Sequence, residues 1–220
     1  MILPDYCYLS TMPLTHTDQW LSWLKQQGVI LPSSLHRAVL KRQCEFLTGR
    51  LCARQALEAA GVSTIADIGI GDFREPLWPE GIVGAITHSN DRAAAVVIKS
   101  ETMPDVKGVG IDIEQVMKED TAANLRKQIL LPQEMDYSRY FPSFAAYATL
   151  VFSAKESIYK AIFPRVRKIL DFNCAAVTGA DSQCIVFTLQ EDISPALPAG
   201  MSFRVLYELS DQSVQTFVVF

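Results

Sequence analysis

The sequence predicts an α+β protein built from two halves, each of which runs from helices into strands. Three observations carry that prediction: helical apolar spacing bounded by capping and stop residues in residues 15–60 and again in residues 121–163, short apolar runs with strand character after each helical stretch, and a Gly-containing stretch, Lys107 to Gly110, where the second series begins. The expected division is therefore 1–109 and 110–220. No internal sequence repeat and no low-complexity linker marks it.

The first helix is expected in "THTDQWLSWLKQQG", with a capping signal over Thr15 to Asp18, Trp20, Trp23 and Leu24 on one side, and Gly28 as the stop. Ser34 to Ala60 reads as one long helix ending at Gly61, with apolar stripes from Leu35, Val39, Phe46, Leu47 and Leu57 and a break in propensity at Gly49. "GIVGAIT" and "AAAVVIK" read as strands around the turn "HSND", and "GVGIDIE" as a third. Helices follow from Thr121 to Leu130 and from Ser143 to Phe163, the latter bounded by Pro142 and Pro164. "CIVFTL", "SFRVLYEL" and "SVQTFVVF" alternate in polarity and predict a small antiparallel sheet.

Composition narrows the function classes. Twenty Lys plus Arg against 24 Asp plus Glu give a net charge of −4, so no global attraction for nucleic acid or an anionic membrane is expected and any anion site is local. The amino terminus lacks a signal-peptide pattern and no run reaches the roughly 20 apolar residues of a spanning helix, so the reading is a soluble cytoplasmic protein. Five cysteines without a C-x-x-C pair suggest reduced, buried thiols.

Four features carry chemistry. In "GVGIDIE", strand alternation puts Gly110, Asp112 and Glu114 on one face. That pair of like charges is either a solvated edge-strand face or the start of a Mg²⁺ site, since Mg²⁺ takes hard oxygen ligands from one or two carboxylates together with substrate phosphates. In "FSAKESIYK", an apolar stripe of Val151, Ala154, Ile158 and Ala161 leaves Glu156 and Lys160 together on another face. They are an exposed ion pair, or a third metal carboxylate and a cation that reaches phosphates held by the metal.

In "FREPLWPEGIVGAITHSN", His88 closes a strand before a polar turn, and the prolines of "REPLWP" hold Arg74 and an aromatic in place. In "EFLTGRLCAR", Arg50 and Arg54 share a helix face, and with Arg37, Lys41 and Arg42 they make the segment locally basic. Gly49 there marks either a plain defect or a close approach to the backbone.

These four segments, in this order, resemble the phosphopantetheinyl transferases of the large, monomeric surfactin-synthetase type, and within them the branch serving enterobactin-like siderophore synthesis. The resemblance covers about residues 40 to 165. It implies two similar α+β halves related by a pseudo-twofold axis, with the active site in the cleft between them. It implies transfer of the 4′-phosphopantetheine arm of coenzyme A to a serine hydroxyl of an apo carrier protein of nonribosomal peptide, polyketide or fatty acid synthesis, with release of adenosine 3′,5′-bisphosphate.

By the same resemblance, Asp112, Glu114 and Glu156 are ligands to Mg²⁺, with Mn²⁺ as an alternative, and Glu156 and Lys160 are catalytic. Lys160, His88, Thr87 and Arg74, with the basic pair Arg50 and Arg54, would contact coenzyme A. The stretch Ile129 to Tyr140 would lie near the carrier protein.

Two departures stand out: "REP" replaces the common G-K-P, and "GAITH" carries Ala85 where a hydroxyl is usual. The rival readings are a Mg²⁺-dependent phosphodiester hydrolase and a non-catalytic coenzyme A or carrier-protein binding module. The acid followed by E-x-K of many nucleases is missing, because Gln115 and Val116 follow Glu114.

Overall fold

A computed structural model describes residues 1–62 and 68–220. The chain divides into two compact units, Ile2–Asp105 and Val106–Phe220, the latter with Met1.

The N-terminal unit begins with β1 (Tyr8–Pro13) and α1 (Asp18–Gln26). The cap of α1 is Thr17, whose hydroxyl accepts from the Trp20 amide, so the expected start is corrected: of the two threonines, the one immediately before Asp18 adopts the extended cap conformation. Trp20 and Trp23 stack at 4.8 Å and Leu24 is buried.

The single long helix expected from Ser34 is likewise corrected. A 3-10 turn at Ser33–Leu35 is separated from α2 (Leu40–Ala59) by an extended Val39 that is 73 % exposed. The apolar residues Leu35 and Val39 mimic helical spacing, but His36 ties back to the Leu31 carbonyl and the Gln43 amide donates to the Ala38 carbonyl, which fixes a non-helical entry. At its other end α2 stops as expected: Gly61 takes φ 75°, its amide donates to Glu58 and that of Val62 to Leu57.

A short hairpin of β2 (Gly69–Ile70) and β3 (Pro76–Leu77) leads into β4 (Ile82–His88) and β5 (Arg92–Lys99). The sheet order is β1-β5-β4, all antiparallel. Its central strand β5 is almost continuously apolar because α2 covers it. Gly49 earns its place by the close approach suspected from sequence, since a Cβ there would meet Ile86 of β4 at 2.8 Å.

The second unit opens with β6 (Val109–Gln115), followed by α3 (Glu119–Ile129), a 3-10 segment over Pro132–Tyr140, and α4 (Phe144–Val166) capped by Ser143. α4 continues past Pro164 within its last turn and closes at Arg167 with φ 47°. Strands β7 (Ala175–Ala180), β8 (Cys184–Leu189), β9 (Ser202–Leu209) and β10 (Ser213–Val219) complete a five-stranded antiparallel sheet ordered β6-β10-β9-β8-β7. Within this unit, then, a long helix again lies on an antiparallel sheet, with α4 against β6, β10 and β9 and α3 against α4. The apolar stripe read from sequence, Val151, Ala154, Ile158 and Ala161, is buried as expected.

The described cysteines are free, and among the described residues no helix is long and apolar enough to cross a membrane.

Candidate active site

The edge-strand alternative for "GVGIDIE" fails on burial. β6 is an edge strand of its sheet, yet Val109 to Ile113 are all buried and Asp112 is only 3 % exposed. A charge is rarely buried without a partner, and here the partner comes from α4: Lys160 Nζ donates to Asp112 Oδ1 at 2.7 Å and to the Ile111 carbonyl at 3.2 Å. Glycine brings the helix so close. A Cβ at Gly108 would run into the Ala161 carbonyl and one at Gly110 into the Ser157 carbonyl. Gly110 therefore makes room for helix backbone. Thr216 of β10 pins the same helix, sharing hydrogen bonds with Ser153 (2.9 Å) and Ser157 (2.7 Å).

Glu114 and Glu156 complete the cluster. Glu114 is pushed up to about 7 by burial first and then by the charge of Asp112, with Glu156 adding to the rise and Lys160 opposing it. Burial also raises Glu156, with Lys160 opposing and Asp112 reinforcing the shift. Three carboxylates and one ammonium from a strand and a helix thus feel one another strongly. Among the described residues no three acidic, histidine or cysteine side chains are already gathered as a finished metal cage; Asp112 is instead held by Lys160. In donor chemistry the set nevertheless fits a hard divalent cation, which would offset both the burial and the mutual repulsion that raise Glu114.

That proton has a consequence for stability. Because the native carboxyl titrates near 7, above its usual 4.5, the native state keeps a proton that the unfolded chain releases. Stability from this group is therefore lost as pH rises from about 4.5 to 7. Glu114→Gln is expected to raise the melting temperature in metal-free buffer at pH 8 by a few degrees and to change it little at pH 4, a contrast that thermal denaturation at the two pH values checks.

A cavity of about 350 Å³ opens beside Glu156, lined by Lys155, Ile158, Tyr159, Ile162, Leu170 and Phe172 among others. Lys155 was not singled out from sequence, nor was its partner Glu134, which is fully buried. The two pair at 2.9 Å. The missed signal was Lys155 lying on the buried side of α4, one residue from Glu156, in a helix with few other charges.

The basic residues of the N-terminal unit form a second cavity of about 270 Å³. Arg42, Arg50, Arg74 and His88 line it around the buried Glu45, with Arg42 Nη1 3.5 Å from His88 Nε2 and the Arg50 guanidinium 5.0 Å above the Phe46 ring. Glu45 Oε2 lies 3.6 Å from Arg42 and 3.9 Å from His88. Arg74 sits at φ 68°, a left-handed conformation that costs a non-glycine residue about 1 kcal/mol or more and is common at binding sites. Thr87, next to His88, is buried. Arg54 is not brought here: its Nη2 donates to the Gln27 carbonyl at 2.6 Å, closing the end of α1.

Comparison with known proteins gives this chemistry a family. Residues 31–98 match the 4′-phosphopantetheinyl transferase N-terminal domain, and residues 108–205 match the 4′-phosphopantetheinyl transferase superfamily. The chain is 38 % identical over 189 residues to Enterobactin synthase component D of Salmonella typhimurium, covering 84 % of this chain and 74 % of that protein. It belongs to the 4′-phosphopantetheinyl transferase superfamily. Other relatives agree: 4′-phosphopantetheinyl transferase PptT of Mycobacterium tuberculosis is 41 % identical over 144 residues (64 % of this chain, 60 % of that one). Enterobactin synthase component D of Escherichia coli K12 is 35 % identical over 150 residues (68 % and 66 %). The transferase is thus an enzyme that moves the phosphopantetheine arm of coenzyme A to a carrier protein.

Proposed function

We propose that the transferase belongs to the large surfactin-synthetase type and serves a siderophore-producing peptide synthase, as the names of its relatives suggest, and that its chemistry takes place at the Asp112, Glu114, Glu156 and Lys160 cluster. The observation that supports this most is the Lys160–Asp112 pair, because it joins the two distant acidic segments at one point. Asp112, Glu114 and Glu156 would hold Mg²⁺ or Mn²⁺, and the bound ion would neutralise charge on the pyrophosphate oxygens. Lys160, free to exchange a carboxylate for a phosphate oxygen, adds a positive charge on the same group.

Glu156 accepts the proton of the carrier serine, a role its raised pKa suits. The serine oxygen then bonds to the phosphorus bearing the pantetheine, the phosphoanhydride bond breaks, and adenosine 3′,5′-bisphosphate leaves. Positioning and charge neutralisation carry most of the acceleration in such a transfer. Arg42, Arg50, Arg74 and His88, beside Thr87, take the remaining phosphate and nucleoside of coenzyme A, and Arg54 has a structural part. The cavity beside Glu156 takes the pantetheine arm. Its volume lies within the roughly 300–1,000 Å³ range of small-molecule sites and its walls are mostly apolar.

Purified protein with Mg²⁺ and coenzyme A is expected to add one phosphopantetheine mass to an apo carrier protein of a siderophore synthase, seen by intact-mass spectrometry, and to lose that activity in EDTA. Transfer that persists in EDTA would refute the metal assignment. Modification of fatty acid carriers in preference to siderophore carriers would refute the pathway.

A further inference from the structure

Glu45 is a carboxylate in a cavity built for anions. It is only 8 % exposed, it lines the N-terminal cavity with Arg42, Arg50, Arg74 and His88, and the transfer chemistry makes no use of it. A negative charge there opposes every phosphate that enters, and burying it forfeits its hydration. Its neighbours show what offsets those costs. Glu45 Oε2 lies 3.6 Å from Arg42 Nη1 and 3.9 Å from His88 Nε2, and Oε1 lies 3.9 Å from Lys41 Nζ.

Lys41 and Arg42 precede Glu45 by four and three residues on α2 and so share its face, whereas His88 arrives from the end of β4. One carboxylate therefore gathers groups from two elements. Arg42 Nη1 stands 3.5 Å from His88 Nε2, and Lys41 Nζ donates to Asn90 Oδ1 at 3.3 Å, so the first turns of α2 are tied to the turn between β4 and β5. Arg42 is a long side chain, 41 % exposed, and without a counter-charge it would extend into water. At 3.6 Å the contact with Glu45 is longer than an ordinary hydrogen bond, so charge holds the guanidinium while donors of its N–H fork stay available to a ligand.

We propose that Glu45 is a positioning residue for the nucleotide end of coenzyme A: it holds Arg42 beside His88 at the cavity, so that both meet one phosphate together. The inference rests on the assignment of this cavity to that end of coenzyme A. It sets two effects of one carboxylate against each other. As a charge Glu45 repels the phosphate, which across a solvent-filled cavity is worth about twofold in affinity. As an anchor it removes rotamer freedom that Arg42 would otherwise lose on binding, worth about two- to tenfold. The anchor therefore outweighs the repulsion.

The probe is adenosine 3′,5′-bisphosphate, titrated calorimetrically in EDTA so that no metal contributes. Glu45→Gln, which keeps the shape and removes the charge, is expected to weaken bisphosphate binding about threefold. Charge counting alone demands the opposite sign. Arg42→Met is expected to bind the bisphosphate about tenfold more weakly, as loss of a hydrogen bond to a charged group implies. Adding Glu45→Gln to Arg42→Met is expected to leave that affinity unchanged or to raise it about twofold, since only repulsion is then left to remove. Circular dichroism checks the fold of each variant.

Equal or tighter binding by Glu45→Gln in the parent overturns the inference and makes Glu45 a plain repulsive charge. The same loss with and without Arg42 also overturns it, because Glu45 then supports the helix and not the ligand contact. If His88→Gln weakens the bisphosphate and Arg42→Met does not, the cavity assignment stands and the Glu45 inference alone falls. If neither variant weakens it, the cavity assignment falls as well.

Discussion

Glu156→Gln is expected to lower the rate of carrier modification by about a thousandfold or more while leaving coenzyme A affinity within a few-fold of the parent. The size follows from losing a positioned proton acceptor, an effect of roughly 10²–10⁴, together with one oxygen of the cation site. Glutamine keeps the shape of the side chain on α4, so the cavity wall and the helix packing survive. Removing a carboxylate that burial and Asp112 both disfavour also removes a source of repulsion, so the melting temperature should hold or rise. Initial rates by intact-mass spectrometry, with circular dichroism as the check of structure, decide the matter. A loss smaller than tenfold would remove Glu156 from the role of proton acceptor and leave it a charge-balancing neighbour of Asp112.

The acid cluster was legible in the sequence because each of its parts obeys a local period. Alternation along β6 put Asp112 and Glu114 on one face, and the helical stripe of α4 left Glu156 and Lys160 on another. What periodicity could not supply was their meeting, which needs the contact of β6 with α4. The same gap hid Glu134 and Lys155, since a charge that is buried through a partner 21 residues away looks like any surface charge in a linear pattern. Short or irregular elements escaped for a different reason. β1 alternates in burial, but its residue types (YLSTMP) do not follow that alternation, β2 and β3 have two residues each, and all three are strands by virtue of their neighbours. At Leu35 and Val39 the pattern pointed the wrong way, because an apolar spacing of four residues is also compatible with a turn followed by an extended residue. The basic cavity was half visible: Arg50, Arg74 and His88 were singled out, Arg42 was seen only as part of a basic run, and Arg54 shares the face of Arg50 but ends on the Gln27 carbonyl.

Gly110 of β6 and Gly108 just before it are where fold and chemistry depend on the same atoms. Gly110→Ala is expected to destabilise the protein by about 3 kcal/mol or more and to abolish transfer in whatever folded protein remains, because the new methyl meets the carbonyl of Ser157, part of the helix backbone, and not a side chain that can turn aside. The helix must then lift from the strand, and the 2.7 Å contact of Lys160 with Asp112 cannot persist alongside a displaced α4. Gly108→Ala should behave in the same way against the Ala161 carbonyl. Urea unfolding can separate this cause from a general dislike of alanine in strands. Gly179→Ala in β7, where the methyl would lie 3.7 Å from Val186 in ordinary contact, should cost little. Ser157→Gly added to Gly110→Ala should restore nothing, since the obstruction is the peptide oxygen that every residue carries. Recovery of stability in that double variant, or a Gly110→Ala protein within 1 kcal/mol of the parent, would mean that α4 can move away from β6 without harm. The close approach would then not be what places Lys160 on Asp112.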